Sequence, residues 1–378
     1  MHAEHAIFLT LLTTRKMTAA AVRTLKKSFA TYEMLLAASP EELRAAGAQQ
    51  HHVDAIAAAR ATYEAAGADS ILAPYVQRNI TILLATDDAY PALLAEAPDA
   101  PLALFVRGNT TALSRGPLVT IVGSRDHTEY GERAAYSLAH DLARAGVTIV
   151  SGLALGVDAV AHRAALDADG VTLGVLGGSV DDACIAPRRN VRLAHALCDR
   201  GALLSEYPLG TTPTHYTFPA RNRIMAALSH ITLVIESAAK SGTLITARNA
   251  LEYNRDVCAV PGSIFSDMSV GTNALIRDGA KIVTCAQDVL AELPHYTPPQ
   301  QQQLFGAAEP DAATHEALPD LTPDEARVHT ILSDEPVHVD KIVTMSKLET
   351  TSALSALSLL EIKGLARDIG GKCYVRTR

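Results

Sequence analysis

The chain has 378 residues, 48% of them hydrophobic, enough for a substantial core and for more than one domain. Its 33 Lys and Arg against 41 Asp and Glu give a formal net charge of −8, which excludes a generally sticky nucleic-acid binder and requires any such site to be a local basic patch. The opening "HAIFLTLLTTRK" is too short and too weakly flanked for a signal peptide, and no apolar run spans a membrane. With five cysteines (Cys184, Cys198, Cys258, Cys285, Cys373) that follow no metal spacing, the composition predicts a soluble cytoplasmic protein with reduced, mostly buried thiols.

Residues 1–70 are rich in Ala and Leu at helical spacing and predict a small helical module. Ser39 followed by "PEEL" is a helix start, with Pro at the first helical position and acids in the first turn. The stretch "LRAAGAQQHHVDAI" admits a helix–hairpin–helix contact to DNA, although a packing or interaction role is the simpler expectation. Residues 75–293 alternate short β-branched runs with helical patterns. "TILLAT", "LALFVRG", "LVTIVG", "VTIVSG", "VTLGVLGG", "ALLSEY", "ITLVIES", "DVCAVPG" and "AKIVT" are the expected strands. From Leu118 onward the strand, turn, helix rhythm predicts an α/β fold, a mostly parallel, doubly wound Rossmann-like sheet with helices on both faces. Residues 294–321, rich in Pro, Gln and Ala without apolar periodicity, read as a flexible linker. In residues 322–378 three helical patterns precede the hairpin "LARDIGGKCYVR", the order of a winged helix. Its third helix carries no basic residue before Lys363, so a protein contact is expected there rather than duplex reading.

Ligands of doubly wound sheets gather at the carboxyl ends of the strands, so the turns that follow strands are the place to look. They read "VGSRDHTEYG" (Gly123, Ser124, Arg125), "SGLALGVD" (Gly152, Gly156), "LGGS" (Gly177, Gly178) and "ESAAKSGTLITA" (Lys240, Ser241, Gly242, Thr243). One glycine turn is backbone geometry; four on one rim, two of them with a cation, point to an anion. The first turn is not G-x-G-x-x-G, since Arg125 holds the place of the second glycine. The next strand ends in "VSG" with no ribose-gripping acid, and no G-x-x-x-x-G-K-[ST] loop occurs. NAD and ATP are therefore not expected, and no cofactor or metal is. Asp158 and His162, four apart on a helix, can pair, and packing with an internal ion pair explains them better than catalysis.

"FPARNRIMAALS" at 218–229 is expected to start a helix at Pro219, crowding Phe218, Arg221, Asn222 and Arg223 at its N-terminal end. Phosphates take backbone N–H groups and arginines, and unstacked bases take an aromatic ring. Phe218 can instead be a hydrophobic staple on its own helix. The further arginines Arg188, Arg189 and Arg192 of "PRRNVR" are equally compatible with a solvated charge run.

The motifs "IVGSRDHTEYG", "IVSGLALGVDAVAHRAAL", "GVLGGSVD", "LLSEYPLGTTPTHYTFPARNRIMAALS", "SGTLITARNALEYNRDVCAVPGS" and "GTNALIRDGAKIV" resemble, in order and spacing, the DNA-processing protein A family (DprA, also called Smf), from about Tyr90 to Leu290. The resemblance implies a non-enzymatic, homodimeric single-stranded DNA binder that loads the RecA recombinase in natural transformation, with single-strand-binding protein as a possible further partner. By motif, Arg125 would contact phosphate, Phe218 would meet a base, Arg221 and Arg223 would build the same pocket, and Ser241, Gly242 and Thr243 would close it. Gly123, Ser124, Gly152, Asn222 and Lys240 complete the expected DNA-binding set. Arg188 keeps the charge of a family Tyr-Pro-basic motif whose tyrosine is replaced by Ala186, and His215 stands where some members carry lysine. Asn273, Leu275, Ile276 and Ile282 of "GTNALIRDGAKIV" are the expected dimer edge, burial within the monomer being the alternative. The rival reading is a Rossmann-like enzyme that cleaves nucleotide glycosidic bonds. Thr246 stands where its catalytic glutamate would be, leaving Glu206 or Glu236 as substitutes.

Overall fold

The computed structural model describes residues 2–14, 16–293, 321–333 and 337–376, which form two compact units divided between 301 and 302. The expected linker at 294–321 lies, but for Leu321, outside the described residues.

The first unit opens with five helices, α1 (His2–Thr13), α2 (Ala19–Lys26), α3 (Tyr32–Ala37), α4 (Pro40–Ala45) and α5 (Gln50–Val76). Helix α4 starts as expected: Ser39 accepts from the Glu42 N–H while the Glu42 carboxylate accepts from that of Ser39. Helix α5 is broken at Gly67, where φ is +73°, a conformation costly for any side chain. The boundary expected near residues 70–75 is one of topology, not of packing. Ile7, Phe8, Leu35 and Ile56 share one core with Ile82, Phe105 and Leu203 of the sheet, and Tyr75 stacks on Phe105 at 5.6 Å.

Nine strands follow: β1 (Ile80–Leu84), β2 (Ala103–Gly108), β3 (Leu118–Val122), β4 (Thr148–Ser151), β5 (Thr172–Val175), β6 (Ala202–Ser205), β7 (Ile231–Val234), β8 (Asp256–Ala259) and β9 (Lys281–Ile282). They make one sheet in the order β1-β2-β6-β5-β4-β3-β7-β8-β9, parallel from β6 to β9, with β1 and β2 antiparallel at one end. Strands β3 to β7 are buried along their whole length, which is why they read as unbroken apolar runs. Between them run α6 (Ala92–Ala95), α7 (Glu129–Arg144), α8 (Val157–Asp167), α9 (Val191–Arg200), α10 (Thr217–Leu228), α11 (Thr243–Glu252) and α12 (Val270–Arg277), and α13 (Ala286–Leu290) follows β9. Leu138, Leu142 and Val160 of α7 and α8 pack on Ile121, Ile149 and Leu233. Ile224, Met225 and Ala247 of α10 and α11 pack on Val122, Val150 and Val234, so both faces are covered.

The second unit is the expected winged helix: α14 (Pro323–Ile331), β10 (Val337–His338), α15 (Val339–Ser346), α16 (Thr350–Ile362), β11 (Ala366–Asp368) and β12 (Cys373–Arg376), with β12 central. Lys363 pairs with the buried Glu325 at 2.8 Å, which engages the basic residue nearest the third helix.

The change from parallel to antiparallel pairing depends on Gly201, where α9 turns into β6. A Cβ there would lie 1.9 Å from the Thr172 carbonyl oxygen, and one on Gly108 would lie 2.6 Å from that of Gly201. No side chain is available to move aside. Gly201→Ala is therefore expected to lower unfolding stability by about 1–3 kcal/mol, the cost of overpacking. Urea unfolding of the variant beside the wild type checks this, and equal midpoints would contradict it.

Candidate functional site

Because β3 to β8 run parallel, their carboxyl ends share one edge, and the loops at 123–128, 152–156, 176–181, 235–242 and 260–266 line it. The chain order reverses direction at β3, whose neighbours are β4 and β7, and a crevice at such a switch point is where ligands bind in open α/β sheets.

Arg221 holds this rim from below. It is 3% exposed, and its Nη1 donates to the Gly152 carbonyl at 2.6 Å and to that of Val175, joining the ends of β4 and β5. Burial pushes its pKa down to about 10, with the Asp158 carboxylate opposing that shift. Asp158 is itself buried and accepts from the N–H groups of Gly152 at 3.1 Å and Ala154 at 3.3 Å. Burial raises its pKa; Arg221 and those N–H groups oppose the rise. The buried Asn190 amide donates to the carbonyls of Leu153 and Ala154 at 2.9 and 3.0 Å. So clamped, Leu153 sits at φ +55°, a left-handed conformation that bulky residues rarely adopt. Only a glycine fits at 152, where a Cβ would lie 2.1 Å from the guanidinium.

Above this base lies a cation on an aromatic ring. Phe218 is half-buried, and its ring edge lies 3.0 Å from where a Gly177 Cβ would be. The Arg125 guanidinium lies 5.8 Å from the ring centroid, within cation–π range. Arg125 is exposed and, among the described residues, its side chain has no carboxylate or hydrogen-bond partner. Its backbone is fixed by Gly156, at φ +76°, where a Cβ would lie 2.3 and 2.6 Å from the carbonyl oxygens of Ser124 and Arg125. Gly123 likewise lets Val157 pack against the turn. Asn222 reaches the Gly242 carbonyl at 3.3 Å. Ser241 donates to the Thr243 hydroxyl and accepts from the Thr243 N–H, closing the start of α11 beside the exposed Lys240. His215 is exposed and lies 3.8 Å, centroid to centroid, from the Tyr216 ring. Arg188 is exposed and donates to the Asp182 carbonyl at 2.5 Å.

Several expectations are corrected. Helix α10 begins at Thr217, with Pro219 in its third position, because Thr214 and Thr217 exchange hydrogen bonds one turn earlier. Pro is tolerated there, since the first-turn N–H groups have no helical partner. Arg221 and Arg223 do not share a pocket. Two residues apart on a helix, they face opposite ways, and Arg223 binds Glu206 at 2.5 Å and the Asp99 carbonyl at 2.8 Å. Phe218 packs on the Gly177 turn rather than only on its own helix. Asp158 and His162 form no pair: the His162 Nδ1 lies 2.7 Å from the Thr172 hydroxyl. Glu206 is held by Arg223, with burial raising its pKa, and Glu236 accepts from the Thr128 N–H and hydroxyl at 2.9 and 2.6 Å, so both carboxylates have structural duties. At the expected dimer edge, Asn273 is bonded to Gly262, and Leu275 and Ile276 pack partly on the core. Ile282 is 54% exposed on a two-residue edge strand. Only Cys184 and Cys258 are buried, and Cys285 is exposed.

The residues that sequence reasoning missed are Asn190, Leu153 and the 76% exposed Tyr216. Tyr216 stood in plain view beside Phe218; the other two give no local signal. Among the described residues no helix is long and apolar enough to cross a membrane, and no group of three or more His, Cys, Asp or Glu is placed to hold a metal ion.

Comparison with known proteins gives two family matches. Residues 81–294 match the family described as DNA recombination-mediator protein A, and residues 297–372 match the DprA winged helix domain. Protein Smf of Escherichia coli (strain K12) is 37% identical over 347 residues, covering 88% of this chain and 89% of that protein. An X-ray structure of DNA processing protein A from Streptococcus pneumoniae superposes with a TM-score of 0.64 at 32% identity, covering 78% of this chain and 98% of that one. A Helicobacter pylori DNA processing protein A structure, described for its single-stranded DNA binding mode, gives a TM-score of 0.51 at 32% identity over 56% of this chain and 93% of that one.

The buried base of the site has a pH signature. Burial pushes the His162 pKa down to about 3 from an ordinary 6.5. Between those values the unfolded chain takes up a proton that the folded chain refuses. Stability is thus full above pH 6.5 and falls on acidification, by up to about 1.4 kcal/mol per pH unit. His162→Gln is expected to flatten this part of the profile in urea unfolding at stepped pH; parallel profiles would contradict it.

Proposed function

This chain belongs to the DNA recombination-mediator protein A family, and on that footing we propose that its rim binds single-stranded DNA so that the protein can load the RecA recombinase in natural transformation. The observation that carries the reading is Arg125: an exposed cation, without an acidic partner among the described residues, set over the half-buried ring of Phe218 on a glycine turn. A phosphate takes the guanidinium and the adjoining base takes the ring, an arrangement that tolerates any sequence because every base has a π-face. The Helicobacter pylori neighbour, described as a binder of single-stranded DNA, supports the same ligand.

Lys240, Arg188 and His215 extend the basic side of the groove, and the exposed Tyr216 beside His215 offers a second ring. Arg221 acts as a positioning residue, holding the carbonyls of Gly152 and Val175 beneath the ligand. A dimer through Ile282 and its edge strand places two such grooves in one assembly. In that assembly the protein displaces single-strand-binding protein in favour of RecA without consuming a nucleotide. The structural engagement of Glu206 and Glu236, with Thr246 in place of a glutamate, favours binding over glycosidic cleavage.

Arg125→Ala is expected to weaken binding of labelled oligo-dT and to make the slope of log K against log salt shallower by roughly 0.7, the value for one single-strand phosphate contact. Phe218→Ala should lower affinity about fivefold or more, since stacking contributes about 1–3 kcal/mol per base. Anisotropy titrations at several salt concentrations check both. An unchanged slope removes Arg125 from the site, and unchanged affinity removes Phe218.

A further inference from the structure

The Arg125 and Phe218 site occupies one end of the rim, and the other end holds a cavity that it does not use. A space of about 350 Å³ opens between Thr128, Tyr130, Glu236, Gly262, Ser263, Ser266 and Ser269, at the carboxyl ends of β7 and β8. That volume lies at the low end of the range for small-molecule pockets, about 300–1,000 Å³. No Lys or Arg lines it, and its Thr128, Tyr130 and Glu236 side chains are already hydrogen-bonded within the chain, so it offers a phosphate nothing.

Phe265 lies in the chain between two lining residues, Ser263 and Ser266. It is 92% exposed and its neighbour Ile264 is 82% exposed. Neither lines the cavity. The loop that carries them is held in place: Tyr130 donates to the Pro261 carbonyl at 2.7 Å, and Asn273 exchanges hydrogen bonds with the Gly262 backbone at 3.0 and 3.3 Å. The Phe265 N–H donates to the Ser263 hydroxyl at 3.2 Å. A well-tied loop that presents an aromatic side chain to water has already met the ordering cost of a contact.

We propose that the Phe265 loop forms a second nucleotide subsite on this rim, in which the exposed Phe265 ring stacks on a base of the same strand. The inference rests on the strand-binding reading above. The strands order the rim as β5, β4, β3, β7, β8, which places the Phe218 turn, the Arg125 turn, the Lys240 loop and the Phe265 loop in sequence along one edge. Four inter-strand steps of about 4.8 Å make a track of roughly 19 Å. A short oligonucleotide fills the cationic end alone, whereas a longer one reaches both.

The test uses the full chain with labelled oligo-dT of about 4 and about 16 nucleotides, the span of single-strand site sizes. Wild type, Phe265→Ala, Phe265→Leu, Phe265→Trp and Arg125→Ala are titrated, and each variant is also sedimented without DNA. Phe265→Ala and Phe265→Leu are expected to lose about fivefold or more on the long strand and nothing on the short one. Phe265→Trp should keep wild-type affinity, and Arg125→Ala should lose on both lengths. If Phe265→Ala binds the long strand like wild type while Arg125→Ala is weakened, the second subsite is overturned and the first stands. If Arg125→Ala is also unaffected, the strand-binding reading itself fails. If Phe265→Leu matches wild type while Phe265→Ala does not, or if Phe265→Ala changes only the sedimentation, the face is an apolar contact between proteins and the proposal is overturned.

Discussion

The guanidinium of Arg221, buried against the carbonyl ends of β4 and β5, sets the geometry from which the rest of the rim follows. A parallel sheet leaves its last carbonyls and first loop N–H groups without ladder partners, and burying them unpaired costs about 1–3 kcal/mol each. Arg221 satisfies the carbonyl side and Asp158 the N–H side, with Asn190 fixing the loop between. A buried charge is tolerated only with such partners, so the arrangement is all or nothing. Gly152 is required because the guanidinium occupies the place of a side chain, and Leu153 holds its left-handed backbone with its carbonyl bonded to the buried Asn190. On that base the turns carrying Arg125 and Gly177 approach closely enough for an aromatic ring to lie between them.

Pairing also explains how a chain of net charge −8 can present a site for an anion. Arg107, Arg223 and Arg255 are tied to Asp182, Glu206 and Glu96 at 2.5 to 2.6 Å, and their charges are largely balanced where they stand. Arg125 and Lys240 are exposed on the carboxyl edge and, among the described residues, have no such acid. The local field of the rim is therefore set by which cations lack partners, not by the overall count. At the β8 end no Lys or Arg lines the cavity, and the exposed Phe265 lies in the chain between two of its lining residues, Ser263 and Ser266.

Much of this architecture is legible in the sequence. The nine strand segments stand out as short apolar or β-branched runs, most plainly β3 to β7, which are buried along their whole length. The glycine turns and the winged helix are equally plain. Within "FPARNRIMAALS", residues two apart on a helix diverge, so Arg221 and Arg223 meet different partners, Gly152 and Val175 for the one and Glu206 and Asp99 for the other, where the resemblance implies one pocket. What no local pattern carries is contact across the chain. The bonds from Asn190 to Leu153, from Glu206 to Arg223 and from Glu236 to Thr128 join segments between 17 and 108 residues apart. The fusion of the helical module with the sheet into one core is of the same kind, since neither half shows alone that its apolar face matches the other.

The central claim is that the rim recognises an unpaired strand through a ring and a cation, and duplex DNA hides the base faces that the ring requires. The most direct measurement is a titration of the full chain against a labelled oligo-dT and against the matching duplex, each at several salt concentrations. The account predicts salt-dependent binding of the single strand and, at every salt concentration, markedly weaker binding of the duplex. Equal affinity for both forms would show that only backbone charge is being read, and would contradict it.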